Sequence, residues 1–440
     1  MSSNSKLKIQ NSKLAKLVSA LLNWFAANAR DLPWRRRRDP YAIWVSEIML
    51  QQTQVKTVIP YWERWMRALP TIEAVAKAST SKIHKLWEGL GYYTRARNLQ
   101  KAARQIVERQ NALLKYRRRR GNESRTKKKS EIPRVVSYKF PENFDEVLAL
   151  PGIGRYTAGA ICSIAFNQST PILDGNVIRV LTRIFGIEKN PREKEANQLL
   201  WHIAEKLICR AKSAKETKGK NTSQPSRPSR ETNLCSFLNQ SLMELGALVC
   251  TPRNPQCGIC PAKTLCVAFR ENRIAELPNL GKREAVTARR FVAFVVEQDG
   301  RFLIRQRPAS VVNAHLWEFP NAEIGARLSE PQHERLRKVN GEISTADAFR
   351  TRCGSKDPRS EWLAEVARRA LGFAPKGLRP FCTVKHSITR YRITLEAFHV
   401  MSGRTSSGIW KTPAQMRRLA FPAAHKKLAS AAFNCILSIR

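Results

Sequence analysis

The chain has 440 residues, 42% of them hydrophobic, and carries 78 Lys and Arg against 35 Asp and Glu, a formal net charge of +43 at pH 7. That length gives room for two or three domains with cores of their own, while the lack of any apolar run of membrane-spanning length, or of an apolar stretch in Met1–Leu14, argues against a membrane-spanning or secreted protein. The charge argues for a polyanionic partner, with nucleic acid favoured and binding expected to weaken steeply with salt.

Leu14, Val18, Leu21, Leu22 and Phe25 fall on one helical face. A second helix is predicted from about Ser46, ending or kinking near Pro60. Further helices are predicted at Thr80–Glu88, Thr94–Ala112, Asn143–Leu150, Arg155–Ala165, Gly175–Phe185 and Asn239–Val249. Two basic stretches lie between helices: Lys115–Lys139, net +9, and Cys209–Glu231, net +5, which leave +29 for the rest of the chain. Their Arg, Lys, Ser and Pro content cannot bury a core, so both are expected to be disordered inserts. Arg35–Arg38, Arg117–Arg120 and Lys127–Lys129 read as solvated or phosphate-contacting charge rather than import signals.

Leu150-Pro151-Gly152-Ile153-Gly154-Arg155-Tyr156 has two glycines two apart between helices. Such a turn can offer backbone N–H groups to a phosphate, because Gly152 and Gly154 have no side chain to block the approach; the plainer reading is a helix stop. Tyr156 cannot form a Schiff base, as a lysine could.

Of ten cysteines, Cys250, Cys257, Cys260 and Cys266 follow C-x6-C-x2-C-x5-C. Four thiols this close argue for a metal centre, and spacing alone leaves [4Fe–4S] and zinc near parity. Cys162, Cys209, Cys235, Cys353, Cys382 and Cys435 are scattered and read as structural. Glu271–Thr287, with Pro278 and Gly281, reads as a linker. Beyond it, Phe291–Glu297 and Arg301–Gln306 are β-rich and flank Asp299-Gly300, a hairpin signal. Glu361–Leu371 reads as a helix stopped by Gly372, and Ser387–Val400 as one or two strands.

The segment Met243–Cys250, with Pro255 and Pro261 among the cysteines, resembles the [4Fe–4S] module of the endonuclease III and MutY DNA glycosylases. The Gly-x-Gly turn and Ile172–Val177 resemble their helix–hairpin–helix superfamily, and Asp31–Arg35, Ser46–Val55 and Gly89–Tyr93 resemble the MutY adenine glycosylases in particular. The resemblance implies an all-α helix–hairpin–helix domain with a [4Fe–4S] module over 1–270, a linker over 271–288 and an α+β NUDIX-like domain over 289–440. It also implies a monofunctional glycosylase that removes adenine opposite 8-oxoguanine or G in double-stranded DNA.

Breaking the bond to adenine calls for an acid to protonate the base and a carboxylate to stabilise the cationic sugar. Glu47 reads alone as an ordinary surface Glu near a helix start; beside Ile48, Met49 and Leu50 it gains a raised pKa if buried, which suits the acid, and the resemblance makes it the donor to adenine N7. Asp174 reads alone as a helix N-cap; the resemblance makes it the stabiliser of the oxocarbenium, or the trap that forms a covalent sugar adduct. The resemblance assigns Tyr156 to supporting that intermediate and Asn176 to ordering water, with Arg30, Trp34, Arg35 and Gln240 lining the adenine pocket. Leu50, Gln51, Gln52 and Tyr92 match its DNA wedge, and Gly152 and Gly154 its grip on phosphate. The C-terminal half matches the family's 8-oxoguanine reader through Leu316–Pro320 and Lys385–Arg390; Thr389 keeps a hydroxyl and Arg390 stands where many relatives have His. Arg368-Arg369-Ala370-Leu371 lacks the carboxylates of a NUDIX pyrophosphatase, so this half is read as binding only. A monomer is expected, in the bacterial cytoplasm on the nucleoid, or in a nucleus or mitochondrion if the cell is eukaryotic. The competing readings are an endonuclease III-type glycosylase with lyase activity and a non-enzymatic metal-cluster DNA-binding protein.

Overall fold

The computed structural model describes residues 10–121, 138–218, 233–281, 285–324, 358–388, 390–401 and 408–437. They gather into two compact units. The first runs to Ala78 and resumes from Arg95 to the linker; the second joins Ser79–Thr94 to everything after the linker.

In chain order the helices of the first part are α1 (Asn11–Asn28), α2 (Pro40–Leu50), α3 (Val55–Ala68), α4 (Ile72–Lys77), α5 (Thr80–Trp87), α6 (Thr94–Gly121), α7 (Phe144–Leu148), α8 (Arg155–Phe166), α9 (Gly175–Phe185), α10 (Lys194–Lys218), α11 (Leu234–Leu248) and α12 (Val267–Arg270). Helix α1 buries Leu14, Leu17, Val18, Leu21 and Phe25, with Leu22 half-buried at the edge of that stripe. Helix α2 starts at Asp39, whose carboxylate accepts the Tyr41 N–H, with Pro40 in the first turn, where its missing N–H is harmless. Every residue from Tyr41 to Met49 is buried, so α2 has no polar face.

The sequence expectation for Pro60 is corrected. The break falls earlier, at Gln51–Gln54, where Gln52 takes a left-handed φ of 57°, and α3 continues past Pro60 to Ala68. The carbonyl that Pro60 leaves without a donor belongs to Lys56, which is exposed, so water can serve it. At the end of α2, Arg95 Nη1 donates to the carbonyls of Ile48, Met49 and Gln51 at 3.0, 2.9 and 2.6 Å, satisfying groups a helix end leaves open. Helices α6 and α10 extend through Gly121 and Lys218, so the first residues of both basic stretches are helical, as Lys and Arg readily are; 122–137 of the first and 219–231 of the second lie outside the described residues.

The second unit is built on a mixed sheet. Its strands are β1 (Thr287–Gln298), β2 (Arg301–Gln306), β3 (Trp317–Glu318), β4 (Asn321–Ile324), β5 (Gly377–Ile388), β6 (Tyr391–Met401) and β7 (Ile409–Lys411), in the order β3-β2-β1-β6-β5, with β4 on β1 and β7 on β2. Its later helices are α13 (Pro358–Leu371), α14 (Pro413–Arg417) and α15 (Ala423–Leu437). Asp299 and Gly300 both have positive φ and close the β1–β2 hairpin that the sequence predicts. Strands β5 and β6 form a second antiparallel hairpin, and β6 runs parallel to β1. Alternation along β1 sends Ala293 and Val295 into a core with Leu428 and Ala432 of α15, and Val292, Phe294 and Val296 into a core with Ala367 of α13.

The turn between α7 and α8 closes with the Ile153 N–H on the Leu150 carbonyl at 3.1 Å. Gly152 has a φ of 79°, and a Cβ there would sit 2.7 Å from Asn98 Cβ; at Gly154 a Cβ would meet nothing within 4 Å. Gly152→Ala is therefore expected to destabilise the protein by about 2 kcal/mol or more, and Gly154→Ala by less than about 1 kcal/mol, read from denaturant unfolding of the full chain. Equal effects would refute this account of the turn.

Candidate active site

Glu47 lies in the C-terminal half of α2, where it is buried, 5% exposed. The Tyr156 hydroxyl, from the first turn of α8, donates to Glu47 Oε2 at 2.9 Å and lies 3.3 Å from Met243 Sδ. Burial pushes the Glu47 carboxyl up to about 7; the Tyr156 hydrogen bond and the positive charge of Arg35 oppose the shift, and the negative charge of Asp174 adds to it. Burial and the neighbouring Glu47 and Asp174 hold the Tyr156 phenol well above its usual range.

Asp174 caps α9. Its Oδ1 accepts the Val177 N–H at 2.7 Å and its Oδ2 the Asn176 side-chain amide at 3.0 Å. Burial raises its pKa, and these donors act against burial by favouring the ionised form. Burial thus raises both carboxyls, but their donors differ: Asp174 has a helix N–H and an amide, and Glu47 the Tyr156 hydroxyl. A difference in donors of this kind can set two carboxyls to different chemical tasks.

Arg30, Trp34, Arg35 and Gln240 line one cavity of about 300 Å³, together with Phe25 and Phe237. Glu47 does not line it, and the link to the acid is the Arg35 charge. The Gln240 amide is turned to Ser236 Oγ at 3.1 Å. Sequence reasoning missed the group that organises this cavity. Glu244, 1% exposed, accepts from Arg30 Nε at 2.7 Å, Arg30 Nη2 at 2.8 Å, the Arg30 backbone N–H at 3.0 Å and Arg35 Nη2 at 3.0 Å. Burial alone would raise its pKa, but the two guanidinium groups outweigh burial and hold it down to about 2. Only its place one turn beyond Gln240 on α11 could have signalled it.

Two further arginines, Arg179 and Arg183, carry no sequence signal either. Arg179 Nη2 donates to Asn176 Oδ1 at 2.9 Å and the Gly246 carbonyl at 2.6 Å, and its Nε to the Cys250 carbonyl at 2.7 Å. Arg183 Nη1 donates to the Thr251 carbonyl at 2.8 Å and to Cys250 Sγ at 3.4 Å. Gly246 lets α9 and α11 approach so closely that a Cβ there would lie 2.7 Å from Asn176 Cβ.

Cys250, Cys257, Cys260 and Cys266 all line a single cavity with Arg183 and Lys263. Among the described residues no group of three or more His, Cys, Asp or Glu side chains closes on one metal-ion position. Burial pushes the Cys260 thiol up to about 11 and raises Cys257 and Cys266.

Of the predicted wedge, Leu50 is half-buried, Gln51 donates to Thr157 Oγ1 at 3.4 Å, and Gln52 is exposed on its left-handed turn. Tyr92, 40% exposed, belongs to the second unit, as does Arg390, whose guanidinium lies 5.4 Å from the Tyr391 ring. Thr389 lies outside the described residues. On α13, Glu365 is tied to Arg368 and Arg369.

Residues 45–206 match the HhH-GPD superfamily of base excision DNA repair proteins, and residues 291–431 match the NUDIX domain. Those matches define the class, a base excision repair fold joined to a NUDIX-like one. The adenine DNA glycosylase of Rattus norvegicus is 32% identical over 93% of this chain and 76% of its own length. That of Homo sapiens is 35% identical over 73% of this chain and 59% of its own length, and that of Buchnera aphidicola from Schizaphis graminum 34% over 70% and 76%. The chain belongs to the adenine DNA glycosylase family.

The Glu244 clamp makes a test. Glu244→Gln is expected to destabilise the protein by about 3 kcal/mol at pH 7, since it strands two guanidinium groups against a neutral amide. Because the folded pKa lies near 2, below the ordinary 4.5, the carboxylate's contribution is present above about pH 4.5 and fades as pH falls toward 2. Unfolding curves of wild type and variant should converge in that window; a constant gap from pH 3 to 7 would count against the clamp.

Proposed function

We propose that this protein removes adenine paired with 8-oxoguanine, and with G, from double-stranded DNA in base excision repair. Glu47 carries the reading: a buried carboxyl held near pH 7, hydrogen-bonded to Tyr156 and within electrostatic reach of Asp174. In the proposed reaction Glu47 gives its proton to N7 of adenine, so the base leaves C1′ as a neutral purine rather than an anion. Asp174 supplies negative charge to the oxocarbenium, or bonds C1′ as a covalent sugar intermediate, before water attacks. Asn176, held between Asp174 and Arg179, fits the ordering of that water. The water's proton returns to the Glu47 carboxylate, which restores the acid. Tyr156 offers no amine to form a Schiff base, which supports base excision without strand cleavage.

The cavity of Arg30, Trp34, Arg35 and Gln240 is the proposed seat of the extruded base, with Leu50, Gln51, Gln52 and Tyr92 entering the stack it leaves. The backbone at Gly152 and Gly154 is the proposed phosphate contact, supported by the open space at Gly154. Arg390 with Thr389 is the proposed 8-oxoguanine reader. A cavity ringed by four thiols, with Arg183 beside Cys250, suits a [4Fe–4S] cluster. When bound, the cluster supplies a cross-link for the loop between α11 and α12, and Arg183 and Lys263 offset its negative charge. No helix among the described residues is long and apolar enough to cross a membrane; a monomer acting on the nucleoid, or in a nucleus or mitochondrion, is the proposed setting.

Single-turnover adenine release from duplexes holding A opposite 8-oxoguanine tests the chemistry. Glu47→Gln should lower the rate at least about 10³-fold, and the wild-type rate should be flat below pH 6 and fall as pH rises through about 7, where Glu47 loses its proton. Release by Glu47→Gln at the wild-type rate would remove Glu47 as the acid. For the metal centre, the purified protein should be brown and contain about four irons per chain. A colourless protein with stoichiometric zinc would replace the cluster by a four-cysteine zinc site.

A further inference from the structure

Glu88 closes α5 at the threshold of the turn Gly89-Leu90-Gly91-Tyr92, all within the second unit. The turn is unusual in backbone terms, with φ values of 112° at Gly89, 70° at Gly91 and 47° at Tyr92. A tyrosine in the left-handed region persists only where its surroundings over-determine it. Here both ends of the turn are tied down. Trp87 Nε1 donates to the Gly91 carbonyl at 3.0 Å, and the buried Tyr93 hydroxyl lies 3.5 Å from the Phe421 carbonyl. Glu88, 7% exposed, does most of the tying: its Oε1 accepts the Phe421 N–H at 3.0 Å and its Oε2 accepts Lys426 Nζ at 2.9 Å and Lys85 Nζ at 2.8 Å. Lys85 Nζ also donates to the Leu419 carbonyl at 2.9 Å.

These anchors lead into the core of the sheet. Phe421 packs in one apolar cluster with Phe319, Val384 of β5 and Leu395 of β6, and β5 and β6 are the strands that flank Arg390. We infer that Glu88 is a positioning residue, a latch that fixes the Tyr92 turn to Leu419–Lys426 so that stack opening and lesion reading are performed by one body. This rests on the reading of Tyr92 as a wedge. Its consequence is that the side chain entering the stack keeps a fixed offset from the element reading 8-oxoguanine. Burial alone would raise the Glu88 pKa; Lys85, Lys426 and the Phe421 N–H outweigh it, so the latch works as an anion.

The test uses the full chain and three readouts: amide hydrogen exchange over 89–93, fluorescence of 2-aminopurine placed beside 8-oxoguanine to report unstacking, and single-turnover adenine release. Loss of a charge-assisted bond at Glu88→Gln should speed exchange over 89–93 by about tenfold or more, and reduce both the unstacking signal and the release rate by about tenfold. The pH midpoint of release should stay where the wild type has it, because Glu47 is untouched. Lys426→Met, which keeps the Glu88–Phe421 bond, should move the same three readouts less; it carries the test if Glu88→Gln does not fold. Wild-type exchange and release in both variants would overturn the latch. Tyr92→Ala separates the two layers of the idea: an unchanged unstacking signal there overturns the wedge reading and the inference with it. A signal lost in Tyr92→Ala but kept in Glu88→Gln overturns the latch alone.

Discussion

A carboxyl group placed on a helix with no polar face must be neutral or well paired, and α2 buries Glu47 with every neighbour from Tyr41 to Met49. Its partner decides which. A phenol is a donor that leaves the acid able to hold its proton; an ammonium group in the place of Tyr156 would draw Glu47 into an ion pair and pull its pKa down. The tyrosine and the buried glutamate therefore belong to one design. What distinguishes this centre from one that works through an amine is set as much by the charge balance around Glu47 as by the missing nucleophile.

Other buried charges of the helical unit are answered by specific partners. Glu244 neutralises Arg30 and Arg35, so the cavity walls carry cations whose charge is already partly answered. Arg179 joins Asn176, beside Asp174, to the carbonyls of Gly246 and Cys250, and Arg183 joins α9 to the cysteine loop. The helix capped by Asp174 is thus braced by backbone oxygens from the end of α11 and the loop that gathers the cysteines. Such bracing is stiff because one planar guanidinium meets several acceptors at once.

What could be read in the sequence is what local chemistry announces. The Asp299-Gly300 hairpin, the stop at Gly372 and the Asp174 cap each depend on residues within a few positions, and each is found as expected. Glu47 was legible through the resemblance of Ser46–Val55 to the family; its local pattern alone reads as an ordinary surface Glu near a helix start. Pro60 misled, because its penalty depends on whether water reaches the freed carbonyl, which no local pattern encodes. Glu244 and Arg179 were invisible for a different reason: a charged residue on a helix announces burial only through partners, and those of Glu244 are 209 and 214 positions away. The grouping of Ser79–Thr94 with the C-terminal half was equally hidden, since α5 has an ordinary cap at Ser79 and an ordinary amphipathic pattern.

That grouping has a consequence for how the chain is made. The Phe421 N–H that meets Glu88 is 333 residues further along. At ribosomal speeds of about 5–20 residues per second, the segment around Tyr92 emerges and then waits roughly 15–70 s before its partners exist. Through that interval Lys85, Glu88 and Tyr93 lack the partners at Leu419–Lys426 that they have in the finished protein. The second unit can therefore close only at the end of synthesis, although its first segment, Ser79–Thr94, is made before most of the first unit.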